Sequence, residues 1–446
     1  PMLNEFIVSW YEETVKWLDS VLKVIANESI ENKELLTSWI KEDIEIMEDA
    51  MQSLATFSSN PKELISNVKL ELISRLNTDI NFQNAYSIIV SDQIEADIYN
   101  IATGIYSPLE WFMNKKDYLN VLTDMRMANN IVWPIPIVLD ITQEQQQNIE
   151  NNWYSILALH NKNNQLISYL EIEEIYQYDK EHFASNVYKT NDKNHPWVDR
   201  VYNMWSFLVW WKIHATVLHP HADDKFYSKY YITPNKTRDT FKQKWWNTIA
   251  AFQTRNPPHR SHEYLQKCAL ENSDWLFINP VIWKKKKGDF KDEYILWAYE
   301  ILVDKYYPKE RTYLAILPLV MRYAWPREAV LHAIIRQNFW CSHMIIWRDH
   351  AGVGDYYGTY EAQKIFDNFD KNELKIQPLK YEHAAYCTIT KSVSTPKTSP
   401  TRPDNKFILS WTKVREKIKN GEKLPEEFTR PEVADYLLQW NNQFVE

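Results

Sequence analysis

The stretch Ala251-Phe252-Gln253-Thr254-Arg255-Asn256-Pro257-Pro258-His259-Arg260-Ser261-His262-Glu263 gathers two arginines, two amides and two histidines where an apolar run gives way to an amphipathic one. Residues Trp246 to Phe252 read as a short buried strand, and His259 to Ala269 as a helix. A helix start carries unpaired N–H donors and the positive end of the macrodipole, so it suits an anion. Side chains that can all donate hydrogen bonds at such a place point to handling of phosphate or sulfate. His259 and His262 share one face of that helix start. Imidazoles there can bind nucleotide phosphates and steady the charge on a departing pyrophosphate. A second block, Trp347-Arg348-Asp349-His350-Ala351-Gly352, follows the apolar run His343–Ile346 and again places charged groups and a glycine at a strand end.

The elements that must position these blocks can be read around them. From about residue 228 strands and helices alternate: Ile249–Gln253, helix, Leu276–Ile282, helix, Leu314–Leu319, helix, His343–Ile346. That order predicts a parallel α/β sheet with its ligand site at the carboxyl ends of the strands. From about 65 to 225 strand signals dominate. Tyr154–His160 and Gln165–Ile172 flank Asn161-Lys162-Asn163-Asn164 as a hairpin. Val132–Leu139 carries two prolines and suits a sheet edge. Residues 1 to about 60 read as helices, with Phe6, Trp10, Trp17, Val21 and Val24 on one face. Ser392 to Pro403 reads as a loop. The resulting division is a helical extension over 1–62, a β-rich domain over 63–226 and an α/β domain over 227–446.

Bulk properties exclude several classes. A net charge of −8 argues against general nucleic-acid or anionic-membrane binding. No uninterrupted apolar run approaches the ~18 residues of a spanning helix, and no basic-then-apolar leader is present. Cys268, Cys341 and Cys387 are too scattered for a disulfide framework. A cytoplasmic location is expected. One number is abnormal: Gly occurs 6 times and Trp 20 times, against an average glycine usage of roughly 7%.

Gln253-Thr254-Arg255-Asn256-Pro257 with His259 and His262, then Arg348-Asp349-His350-Ala351-Gly352, resemble the signatures of the ATP sulfurylase (sulfate adenylyltransferase) family. Ile101-Ala102-Thr103-Gly104, Ser107-Pro108-Leu109, Pro326-Arg327-Glu328-Ala329, Lys413-Val414-Arg415-Glu416 and Phe428-Thr429-Arg430-Pro431-Glu432-Val433 extend the resemblance over about 65 to 440. It implies a PUA-like β-rich domain ahead of a Rossmann-like nucleotidyltransferase domain. The implied reaction converts ATP and sulfate to adenosine 5′-phosphosulfate and pyrophosphate, with Mg²⁺. By the same resemblance Gln253, Arg255 and the backbone at Ala351 would bind sulfate. Thr254, Arg255 and Asn256 would be catalytic, with His259 and His262 on the phosphates. Gln253, Asn256, Trp347, Arg348, Asp349, His350 and Val393 would contact ATP. A homo-oligomer is expected, without nucleic-acid or membrane partners.

Some family members bind zinc through three cysteines and a histidine; here Cys387 stands alone, with Thr390 and Ser399 where partners would be expected, so no structural zinc is expected. Lys284 to Lys287 read as a solvated loop. No P-loop occurs in the sequence, so a fused kinase domain is not expected. A catalytically impaired homologue serving as a scaffold, and a nucleotidyltransferase with another acceptor, are the alternatives. The resemblance also implies glycine where this chain has Trp111, Trp197, Trp205, Trp210, Trp211, Trp245, Trp275, Trp283, Trp325, Trp340, Trp347 and Trp411. A UGA codon meaning glycine but read as tryptophan would account for one replacement recurring at so many such sites.

Overall fold

The computed structural model describes residues 72, 74–77, 84–217, 219–283, 287–348, 350–352, 354, 356–370, 372–400, 403–439 and 442–445. The expected N-terminal helices, most of the lysine loop and Asp349 lie outside the described residues. The chain divides into two units, and everything described belongs to the second, Leu72–Glu446.

The first sheet contains β1 (Ala85–Ile89), β2 (Trp111–Phe112), β3 (Leu139–Ile141), β4 (Ile156–His160), β5 (Leu166–Glu171), β6 (Glu174–Gln177) and β7 (Phe207–Ala215). Its order is β1-β4-β5-β7-β2, with β3 and β6 also on β7. The expected hairpin is β4–β5, with Ile156 opposite Glu171 and a turn that puts Asn164 at φ 59°. The run from Val132 to Leu139 enters the sheet only at β3, after one bridge from Val132 to Arg126. Pro134 and Pro136 offer no N–H to a ladder. Helix α1 (Asp92–Ala102) follows β1, started by Ser91, whose hydroxyl accepts from the Ile94 N–H.

The second sheet holds β8 (Ile249–Thr254), β9 (Trp275–Pro280), β10 (Thr312–Leu314), β11 (His343–Ile346) and β12 (Gln377–Lys380), with α2 (Arg260–Glu271), α3 (Asp292–Tyr306) and α4 (Trp325–Asn338) between them. Its order is β10-β9-β8-β11-β12, and every pair is parallel. All six residues of β8 are buried, as a central parallel strand covered on both faces requires. The winding reverses between β8 and β11, so the ligand crevice falls between the loops leaving those two strands. β8 starts later than the sequence suggests because Trp246 still closes the preceding helix, donating its N–H to the Phe241 carbonyl at 3.1 Å. β10 is shorter than expected, and Ala315 and Leu317 continue the pairing through single bonds to Ile278 and Pro280. A third sheet, ordered β14-β13-β15, comprises β13 (Ala385–Cys387), β14 (Ser392–Ser394) and β15 (Lys406–Phe407). β13 and β14 lie against α2. Helices α5 (Trp411–Lys419) and α6 (Pro431–Leu438) complete the chain.

Buried polar contacts fix the β-rich part on the α/β part. Arg322 meets both oxygens of Asp97 on α1 at 2.7 Å, each side chain 2% exposed. A pair so placed is tolerable only if its remaining valences are met. The Tyr106 hydroxyl bonds both partners. Arg327 donates to the carbonyls of Val121, Leu122 and Pro134, and Asn338 to those of Ile105 and Ser107.

Three helices end in an unusual way. The N–H of Trp153 reaches Glu150 and that of Tyr154 reaches Ile149; Trp245 and Trp246 repeat the pattern on Lys242 and Phe241, and Trp340 and Cys341 on Gln337 and Arg336. This is the Schellman motif, whose left-handed residue is usually glycine. Here tryptophan fills it, at φ 53°, 57° and 75° for Trp153, Trp245 and Trp340. Gly421, at φ 71°, ends α5 by the same bonds with the usual residue.

Candidate active site

The two blocks named at the outset leave adjacent strands at the same edge of the sheet. β8 and β11 are parallel, with Ala250 beside His343 and Ala251 beside Met344. Gln253 and Thr254 end β8, and Trp347 follows β11 directly. The Thr254 hydroxyl is turned onto its own loop, accepting from the Asn256 N–H at 3.2 Å and donating to the Asn256 carbonyl at 3.1 Å. It shapes the turn that presents Arg255 and Asn256. Arg255 donates to the Tyr323 hydroxyl at 2.5 Å. With Tyr323 and Arg200 it lines a cleft of about 410 Å³.

His259 stands at the N-terminal boundary position of α2 without a side-chain capping bond, and His262 sits in the first turn, their rings stacked with centroids 3.7 Å apart. Burial pushes His259 down to about 3, helped by His383, and pushes His262 well below the ordinary imidazole range, helped by His259. His262 Nδ1 is buried and makes no hydrogen bond among the described residues. An orphaned buried polar atom costs about 1–3 kcal/mol, which a ligand oxygen would recover. His383 is itself held at about 4 by burial and by the neighbouring Arg348 charge. Arg348 therefore lies within electrostatic reach of His383, which in turn bears on His259.

The first turn of α2 is strapped from the C-terminus. Arg430 donates to both oxygens of Glu263 at 2.8 and 2.6 Å, and Lys267 adds a third bond at 2.6 Å. Burial raises the Glu263 carboxyl, but these cations outweigh it and keep it below its usual range. The Arg260 N–H, one of the helix-start donors, is taken by the Phe428 carbonyl at 2.7 Å, and Thr429 donates to the Pro258 carbonyl at 2.9 Å. Arg415 pairs with Asp289 at 3.3 Å, beside Gly288 at φ 86°.

Of the remaining sequence-derived residues, His350 is 3% exposed and faces His332 at 3.1 Å. Ala351 adopts φ 59°. Val393 lies on β14, paired with Tyr386. The Trp347 indole stands edge-on to His262 at 5.2 Å, and the Trp411 indole lies 5.8 Å from His259. Cys387 is buried on β13 with the Ser399 hydroxyl 4.0 Å from its sulfur. Tyr323, His383 and Arg336 were not singled out by the sequence. Arg336 donates to the Gln253 side-chain oxygen at 3.0 Å and the Asn279 carbonyl at 3.1 Å. These contacts join segments far apart in the chain, and no local spacing signals them.

Comparison with known proteins identifies the family. The family model described as ATP-sulfurylase matches residues 228–440, and one described as a PUA-like domain matches residues 62–216. The sulfate adenylyltransferase of Nostoc punctiforme is 47% identical over 350 residues, spanning 78% of this chain and 88% of its own. That of Halothermothrix orenii is 44% identical over 352 residues, spanning 79% and 91%. A solved structure titled as a hexameric APS kinase from Thiobacillus denitrificans shares the fold, with a TM-score of 0.59 at 20% identity over 84% of this chain and 64% of that one. A PUA-like domain thus precedes an α/β catalytic domain built on a parallel sheet, and the chain belongs to the ATP-sulfurylase family.

Proposed function

We propose that this chain is a sulfate adenylyltransferase, reversibly converting ATP and sulfate to adenosine 5′-phosphosulfate and pyrophosphate. The observation that carries the reading is the departure of the Gln253–His262 and Trp347–Ala351 segments from neighbouring parallel strands at the switch point. A sulfate oxygen attacks the α-phosphorus in line and forms the new P–O bond. The bond to the β-phosphate bridge breaks, and its electron pair leaves with pyrophosphate. No proton need move, so catalysis rests on alignment and on neutralising charge.

Arg255, Gln253 and the backbone at Ala351 would hold sulfate, and Thr254 would set the turn that presents Arg255 and Asn256. His259 and His262, neutral when the site is empty, would donate to the phosphates. Trp347, Arg348, Asp349, His350 and Val393 would line the ATP side. Mg²⁺ enters on the triphosphate, as part of the MgATP substrate; among the described residues no group of three or more His, Cys, Asp and Glu could hold a metal ion. Among those residues, too, no helix is long and apolar enough to cross a membrane. We place the enzyme in the cytoplasm, as a homo-oligomer.

The test is pyrophosphate release from MgATP. It should require sulfate, with molybdate able to substitute. Release that ignores both anions but responds to another acceptor would assign a different transferase, and none with any acceptor would assign a scaffold.

A further inference from the structure

Helix α4 carries a stripe of ionisable side chains on a buried face. Glu328, His332 and Arg336 lie four residues apart and are all 0% exposed. Residues at that spacing share one side of a helix, and charged side chains are almost never fully buried unless engaged. Each of these three reaches a different segment of the site. Glu328 accepts the N–H groups of Arg322 at 2.7 Å and Ala324 at 3.1 Å. It thereby clamps Tyr323 from both sides. His332 has Nδ1 in hydrogen-bond contact with His350 Nε2 at 3.1 Å, while its Nε2 lies 3.4 Å from the Glu328 carboxylate without a hydrogen bond. Arg336 joins the ends of β8 and β9 through Gln253 and Asn279.

Two of the clamped segments are strained. Tyr323 and Ala351 both sit in the left-handed region, at φ 53° and 59°. Non-glycine residues persist there only where the surroundings over-determine them. Tyr323 is the residue whose hydroxyl receives Arg255. Ala351 follows His350, the residue His332 holds.

We propose that Glu328, His332 and Arg336 are positioning residues of the adenylyl transfer, one rigid stripe that sets Arg255, the Ala351 backbone and Gln253 at fixed separations. The proposal rests on the reading of the site given above. The stripe touches no substrate; it acts by holding the left-handed backbone at Tyr323 and Ala351 and the amide of Gln253. Simple stabilisation of the fold would not require one helix to serve all three segments.

The test compares His332→Asn, too short to reach His350, with His332→Gln, which is long enough, in the full chain. Steady-state pyrophosphate release is measured beside amide hydrogen exchange without substrates. For His332→Asn, kcat should fall about 100-fold with the KM for MgATP within about threefold, since an ångström of misplacement costs that much in alignment. Exchange at residues 350–352 should accelerate while that of β8 stays unchanged, and His332→Gln should restore both. Should His332→Asn fail to fold, Arg336→Lys keeps the charge but loses the fork, and the same comparison is read at Gln253–Asn256. Unchanged local exchange, or Asn and Gln variants equally impaired in proportion to lost stability, would overturn the proposal. If the parent chain releases no sulfate-dependent pyrophosphate, the functional reading fails, and the exchange data still decide the clamp.

Discussion

His259 and His262 stay neutral because burial penalises their charged forms, and His383 beside His259 and His259 beside His262 add to that penalty. A histidine whose folded pKa is depressed makes unfolding easier as acid is added. Its contribution is fully present above the unfolded pKa of about 6.5 and is lost as pH falls toward the folded value, at about 1.4 kcal/mol per pH unit for each neutral imidazole. With His259 held near 3, the window runs from about pH 6.5 down to about 3. The urea midpoint should therefore fall between pH 7 and pH 5, and less steeply in His259→Gln; identical slopes would show that His259 is not held neutral. Arg255→Lys tests the other half of the site. It keeps the charge but cannot present a planar fork to an oxyanion, so kcat/KM for sulfate should drop about 10²–10³-fold in initial-rate assays. Residues such as Gln253, Arg255, His259 and His262 were legible because their chemistry is concentrated in a dozen consecutive positions. Tyr323 and Arg336 were not, since a tyrosine or a helical arginine acquires meaning only from the distant residue it meets.

At the level of elements, alternation of strand and helix disclosed the parallel sheet, because β8, β9 and β11 are short apolar runs separated by amphipathic ones. Strand ends were less legible. Trp246 reads as strand by composition but is spent on a helix terminus, which moves Gln253 and Thr254 to the last positions of β8. The purpose of the Phe428–Val433 motif was invisible in sequence, and the fold supplies it: Arg430 straps Glu263 in the first turn of α2. Removing the strap by Arg430→Ala leaves a carboxylate that is 6% exposed with Lys267 as its remaining cation partner among the described residues. The loss should be about 1–3 kcal/mol in urea unfolding, below the full cost of breaking a buried pair because the Arg430 side chain is 24% exposed. The KM for MgATP should rise as well, since α2 carries the two imidazoles. A variant with unaltered midpoint and unaltered KM would mean that the bonds from Arg260 and Thr429 hold the helix start unaided.

Across the whole molecule, the shortage of glycine and the excess of tryptophan meet in the backbone. Trp153, Trp245 and Trp340 occupy the left-handed position of three Schellman motifs, and Trp153 and Trp245 leave their indoles 85% and 80% exposed. A side chain that packs on nothing, at a dihedral it disfavours, contributes no stability that would explain its choice. Trp275 stacks on Trp246 with centroids only 3.3 Å apart, closer than the usual 4.5–7 Å for aromatic pairs. The twelve tryptophans at positions expected to be glycine, which include Trp245 and Trp340 but not Trp153, are not uniform, however. Trp197 donates to the Met321 carbonyl at 2.8 Å and Trp111 to Asp117 at 3.2 Å, as ordinary core indoles do. The strained sites therefore give the sharper test. Glycine at 153, 245 or 340 should stabilise the chain by about 1 kcal/mol each, the relief of left-handed strain exceeding glycine's larger unfolded-state entropy. Trp347→Gly with Trp411→Gly should tighten ATP binding, because both indoles crowd His259 and His262. Reading the gene decides the cause: UGA at these codons would mean that the cell inserts glycine there, whereas UGG, together with glycine variants no more stable than the parent, would establish the tryptophans as native.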